Sequence, residues 1–124
     1  MQNGKHVILV VDDDYDILES LRLVLEANNY VVATAVSAEE GLRVYKASNP
    51  DLIIVDLMME EVDAGTSFVK ELRVLNNAAP VYILSSVGDN LYTTMDFSAL
   101  GLTGVFQKPI NPEMLLSLLK TKLK

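Results

Sequence analysis

Apolar residues in this chain come in short unbroken runs, separated by stretches in which they recur every third or fourth position. The run KHVILVV (5–11) is rich in β-branched residues and shows no alternation, which predicts a strand buried on both faces. The period then changes: Ile17, Leu18, Leu21, Val24 and Leu25 share one helical stripe, with Asp14 placed as N-cap and Asn28-Asn29 as the stop. YVVATA (30–35) predicts a second strand. Ser37 and Glu40 form an S-x-x-E capping box that opens a second helix, closed before Asn49-Pro50. DLIIVD (51–56) is a third buried strand, followed by an acidic loop through 60–63 and a helix from about 66 to 76. That helix presents Phe68, Val69, Leu72 and Leu75 on one side. PVYIL (80–84) is the fourth strand, a weaker helix covers about 90–100, and GVF (104–106) is a short fifth strand. Asn111 and Pro112, an N-cap and an N1 proline, open the last helix. Its Leu115, Leu118 and Leu119 are apolar, and Lys120, Lys122 and Lys124 complement the negative end of its dipole.

Strand and helix thus alternate five times with no linker, repeat or low-complexity stretch. Such alternation predicts an α/β fold: a five-stranded parallel sheet with helices on both faces and right-handed crossovers. Five units suit the doubly wound, flavodoxin-like order 2-1-3-4-5, in which the carboxyl ends of strands 1 and 3 lie side by side at the switch point where ligands bind. The chain is read as one domain over residues 1–124, a length that supports one core.

Charge and composition narrow the chemistry. A net charge of −7 argues against a grip on a nucleic acid backbone and favours a cation or a basic partner. With no cysteine there is neither a disulfide framework nor a thiolate nucleophile, in keeping with a reducing cytoplasm. The apolar N-terminal run is short and passes straight into acids, so no secretory leader is expected. No apolar stretch approaches the ~20 residues of a membrane helix.

In the expected topology strand 1 ends in Asp12 and Asp13, strand 3 in Asp56, strand 4 in Ser85-Ser86, and Lys108-Pro109 follows strand 5. Taken singly, each has an ordinary explanation: Asp14 caps a helix, an aspartate after a strand serves an Asx turn, and a serine caps a loop. His6, the only histidine, starts a strand at the far end of the sheet, and Met58-Met59 reads as packing. The conjunction is different. Two negative charges ~4 Å apart cost roughly 4 kcal/mol at an effective dielectric of 20. Three carboxylates gathered in a domain of ordinary stability require a shifted pKa or a cation. An all-oxygen site with few carboxylates suits Mg²⁺, which retains waters and accepts phosphate oxygens. A carboxylate beside a metal and a lysine can also act as a nucleophile and form an aspartyl-phosphate.

ILVVDDDYDIL, PDLIIVDLMM, PVYILSS and FQKP, in this order and spacing, resemble the response-regulator receiver domain (CheY-like) of bacterial two-component signalling, and the resemblance runs from His6 to the last helix. It implies that Asp56 accepts a phosphoryl group from a sensor histidine kinase or a phosphotransfer protein. Asp12 and Asp13 would form the acidic pocket, Asp13 binding Mg²⁺ directly and Asp12 through water. Asp56 and the backbone carbonyl of Met58 would complete the protein ligands. Lys108, joined to Pro109 by a cis bond as is usual in the family, would pair with the phosphoryl group. Ser85 would turn toward a phosphoryl oxygen and switch the surface formed by the fourth helix, fifth strand and last helix. The resemblance implies a signalling module and not a turnover enzyme. The output would be a downstream protein or an effector domain outside this sequence, which ends with the last helix. That helix lacks the arginine-rich pattern associated with receivers that dimerise on DNA.

Three positions depart from the family pattern. Val105 stands three before the lysine, where an aromatic residue is common, and Phe106 is displaced by one. The loop after Asp56 reads MEEVDAGTSF, with Glu60 in place of a proline and one extra residue before helix 3. Met58 and Val87, two past Asp56 and two past Ser85, are apolar and cannot orient a hydrolytic water, which implies a long-lived phosphoryl-aspartate. The alternative reading is a degenerate receiver acting as a phosphorylation-independent interaction module. A small Mg²⁺-dependent phosphatase would need a cap domain that 124 residues do not supply. A flavin or dinucleotide site would need glycines after strand 1, where this chain has carboxylates.

Overall fold

The computed structural model describes residues 2–56, 64–85, 103–108 and 110–123, with the backbone alone for 64–67. Within these, the β-branched runs form β1 (Val7–Val11), β2 (Val31–Ala35), β3 (Leu52–Asp56), β4 (Val81–Ser85) and β5 (Gly104–Gln107). The amphipathic stretches form α1 (Tyr15–Ala27), α2 (Ala38–Ser48), α3 (Ala64–Val74) and α4 (Pro112–Lys122). The weaker helix expected at 90–100 and the acidic loop at 60–63 lie outside the described residues, as do Met58, Val87 and Pro109.

All strand pairs are parallel, in the order β2-β1-β3-β4-β5. Successive side chains of the central strands go to opposite faces, which explains why those runs are apolar throughout. Ile8, Val10, Leu52, Ile54 and Leu84 pack with Leu18, Leu21 and Leu25 of α1 and Leu115 and Leu119 of α4. Leu9, Val11, Ile53, Val55 and Ile83 pack on the other side with Phe68, Val69 and Leu72 of α3 and with partly buried residues of α2. Gly41 lets α2 approach this second core, since a Cβ there would lie 2.9 Å from Phe68 Cε1 and 3.1 Å from Val11 Cγ2.

The expected caps form. Asp14 accepts the Asp16 N–H at 2.9 Å, Ser37 Oγ the Glu40 N–H at 3.1 Å, and Asn111 Oδ1 the Glu113 N–H at 2.9 Å. Helix α3 differs at both ends from the sequence expectation, starting at Ala64 and stopping at Val74. Leu75 therefore falls beyond the last turn and is 38% exposed, outside the stripe in which periodicity placed it. The chain has already turned there, with Asn76 in the left-handed region at φ 58°.

Candidate functional site

The strand order brings the carboxyl ends of β1, β3, β4 and the segment after β5 together at one edge of the sheet. Asp12 follows β1 directly. Its backbone N–H donates to the Ala35 carbonyl of β2 at 3.0 Å, prolonging the ladder by one residue and drawing its side chain inside. Asp12 is fully buried, Asp56 is 4% exposed and Ser85 2% exposed; these are the buried polar residues among those described. Asp13 is half-buried.

One cation stands among these acids. Lys108 Nζ lies 3.2 Å from Asp12 Oδ2 and 3.3 Å from Asp56 Oδ2. Backbone pairing sets its position, because the Lys108 N–H donates to the Ser85 carbonyl at 2.7 Å where β4 and β5 end. Ser85 and Lys108, 23 positions apart in sequence, are thus joined directly, while the two aspartates arrive from the neighbouring strands.

The charges do not balance. Carboxylate oxygens of Asp12, Asp13 and Asp56 all lie within 4.8 Å of one another. Asp12 Oδ1 accepts the Asp14 N–H at 2.9 Å, but Asp12 Oδ2, although next to the ammonium, makes no hydrogen bond among the described residues. Burial, with the charge of Asp56 adding to it, pushes the Asp12 carboxyl up to about 6 against the pull of the Asp14 amide and Lys108. Burial works against the charged Lys108 too, yet Asp12 and Asp56 outweigh it and its pKa rises. Among the described residues three carboxylates share one ammonium, which leaves a deficit of positive charge. A hard divalent cation with oxygen ligands fits this deficit, and a softer metal lacks the nitrogen or sulfur donors it prefers.

Five of the residues singled out in sequence therefore meet here: Asp12, Asp13, Asp56, Ser85 and Lys108. The sixth, Met58, lies outside the described residues. His6 is at the opposite end, where its carbonyl accepts the Val31 N–H at 2.9 Å. Sequence reasoning missed the carbonyls of Ala35 and Ser85, which hold Asp12 and Lys108 in place. Backbone acceptors leave no residue-type signal, and only the pairing register reveals them.

Val105 and Phe106 also separate. Phe106 packs in the core shared by α1 and α4, its ring centroid 5.3 Å from that of Tyr82 at an interplanar angle of 37°. Alternation along β5 sends Val105 to the other face. The displaced aromatic is thus a core residue and does not take the place of the one absent at position 105.

Comparisons with known proteins match most of the chain. The response regulator receiver domain family matches residues 8–120. The transcriptional regulatory protein PrrA of Mycobacterium tuberculosis is 44% identical over 79 residues, covering 64% of this chain and 34% of that protein. The transcriptional regulatory protein ResD of Bacillus subtilis is 32% identical over 123 residues, covering 99% of this chain and 50% of that protein. The chain thus spans between a third and a half of the length of these two relatives. Among solved structures, the chemotaxis protein CheY4 of Vibrio cholerae superposes with a TM-score of 0.85 at 31% identity, covering 97% of this chain and all of that one.

Proposed function

The chain belongs to the response-regulator receiver family of two-component signalling, and from that premise we propose that Asp56 is its phosphoryl acceptor. The observation that carries this reading is the Lys108 ammonium suspended between Asp12 and Asp56, with three carboxylates converging on a point that one lysine does not neutralise. A structural salt bridge needs one acid for each base; a phosphoryl site needs surplus acid for a metal and a lysine for the incoming oxygens.

In this reading an Asp56 carboxylate oxygen attacks the phosphorus of a phosphohistidine on a sensor kinase or phosphotransfer protein. The P–O bond forms as the P–N bond breaks, and the departing imidazole takes a proton. Asp13 and Asp56 would hold Mg²⁺ directly, with the Met58 carbonyl, and Asp12 through water. Bound there, Mg²⁺ supplies charge that offsets the growing negative charge on the phosphoryl oxygens. Lys108 serves the same end and holds the acceptor in place, so this chain mostly positions and neutralises. Ser85, buried at the end of β4, offers its hydroxyl to a phosphoryl oxygen and passes the change toward the surface of the predicted helix at 90–100, β5 and α4. The relatives are transcriptional regulators, so the output is an effector domain or a separate protein contacting that surface. The family is a signalling one, and its members are not enzymes of steady turnover. Among the described residues no helix is long and apolar enough to cross a membrane.

The test is incubation with Mg²⁺ and acetyl phosphate or phosphoramidate, followed by intact mass spectrometry. A gain of one phosphoryl mass, absent in Asp56→Ala and after chelation, is expected. With the apolar Met58 and Val87 flanking the site in sequence, the adduct should outlast hours of dilution; rapid loss without a phosphatase would refute that expectation. No adduct, together with no rise in melting temperature on adding Mg²⁺, would favour a receiver that signals by interaction alone.

A further inference from the structure

Among the described residues the outer strand, β2, pairs with β1 alone. The Val31 N–H donates to the His6 carbonyl and the Ala35 carbonyl accepts the Asp12 N–H, so Val31, Ala33 and Ala35 turn their backbone groups toward β1. In a parallel ladder the residues between them present N–H and C=O to the other side. Those residues are Val32 and Thr34, and among the described residues neither is joined to a further element. Edge strands usually carry a lysine, a proline or a bulge that discourages pairing. From Tyr30 to Val36 this one has no charged residue and no proline, and its side chains at 31–34 are only half-buried.

Beside this edge, on the α1 face, runs a cleft of about 400 Å³. Leu18, Val32 and Val36 give it an apolar floor, while Glu19, Glu26 and Glu40 supply carboxylates. Arg22 is the basic residue lining it, and its guanidinium is already tied to Glu19. Unpaired backbone groups and an acidic rim thus lie along the same line.

We propose that the β2 edge and this cleft bind an extended basic peptide segment as a sixth strand, its backbone joined at Val32 and Thr34 and its alternate lysines or arginines reaching Glu26 and Glu40, the carboxylates Arg22 leaves unpaired in the cleft. A second copy of this chain fits less well. Paired edge to edge about a two-fold axis normal to the sheet, it would set its own acidic rim beside the first, in a chain of net charge −7. The site stands apart from Asp56 and operates whether or not that residue is phosphorylated.

The probe is a fluorescein-labelled peptide, Lys-Val-Lys-Thr-Lys-Val-Lys, titrated into the full chain by anisotropy, with amide hydrogen exchange as a second readout. Saturable binding that weakens with salt is expected, with exchange at Val32 and Thr34 slowed at least tenfold and that at Val31, Ala33 and Ala35 unchanged. Thr34→Pro removes an N–H that β1 does not use and should weaken binding about tenfold. Glu26→Lys, on the exposed side of α1, leaves the strand untouched and should weaken it about fivefold. Absence of binding, binding without protection at Val32 and Thr34, or equal affinity in Glu26→Lys would each overturn the proposal. So would protection of the same two amides by concentration-dependent dimerisation without peptide.

Discussion

The two ends of the sheet handle aspartate in opposite ways. At the amino end, Asp51 precedes β3 and closes a pair with Val7: its carboxylate accepts the Val7 N–H at 2.8 Å and its own N–H donates to the Val7 carbonyl at 2.7 Å. Burial opposes the charged form there, but the Val7 amide, with nearby positive charge adding to it, brings the Asp51 pKa below its ordinary value. Three of the described helices that end at this side, α1, α2 and α3, are followed by a neutral amide in the left-handed region, Asn29, Asn49 and Asn76 at φ 70°, 47° and 58°. At the carboxyl end, Asp12 is buried deeper, is paired less well and has its pKa raised to about 6. At the amino end the buried side of Asp51 is matched by the backbone it caps. The other end carries a surplus of charge that the fold tolerates, as expected where a site is set up for chemistry.

Removing the cation should widen this contrast most. Lys108→Met removes the ammonium that sits against the buried Asp12 and Asp56, and a loss of about 3 kcal/mol in urea unfolding is expected. Mg²⁺ should recover part of it. Unchanged stability would mean that the acids are already neutral and the lysine incidental.

Asp12→Asn should act in the opposite sense. Asparagine keeps the acceptor for the Asp14 N–H and removes a charge whose burial is unfavourable, so the metal-free protein should gain roughly 1–3 kcal/mol at neutral pH, after allowance for solvent screening near the cleft. The sign follows from proton uptake. With the folded pKa near 6 and the unfolded value at 3.8, the native state holds the extra proton between these values, and wild-type stability from this group falls as pH rises through that window. The gain in Asp12→Asn should therefore be complete above about pH 6 and vanish near pH 4. A gain that persists at pH 4 would assign the effect to packing instead.

Asp51→Asn should show the mirror image at smaller amplitude. A depressed pKa contributes stability above the ordinary aspartate value and loses it as pH falls through the folded value. The variant should lose under about 1 kcal/mol at neutral pH, with the difference closing in acid. Melting curves of the two variants across pH should thus diverge in opposite directions from wild type. The smallest change concerns the neutral caps: Asn49→Gly, at φ 47°, should stabilise by a few tenths of a kcal/mol, since glycine enters that region without steric cost.

Much of this architecture was legible in the residues themselves. Unbroken β-branched runs mark strands with both faces covered, so β1, β3 and β4 were evident, and Asp14, Ser37 and Asn111 announced their helices through local hydrogen bonds that depend on a few neighbouring positions. The site residues were legible for a related reason: in a parallel sheet every strand points the same way, so the residue type at each carboxyl end lists what the cleft will contain. Leu75 was misplaced because helical periodicity cannot say where the last turn stops, and the left-handed Asn76 decides that.

The period of each element, the alternation that makes the sheet parallel and the side chains at its carboxyl edge can all be read from the residues, because they depend on local backbone preference and the burial of apolar faces. The residues do not say that Lys108 spans Asp12 and Asp56, that Asp12 and not Asp13 is the buried acid, that Phe106 packs against the core with Tyr82, or that Val32 and Thr34 face outward with backbone groups unpaired among the described residues. Those outcomes rest on strand register, and register is set by how two faces pack at once, which no single segment encodes.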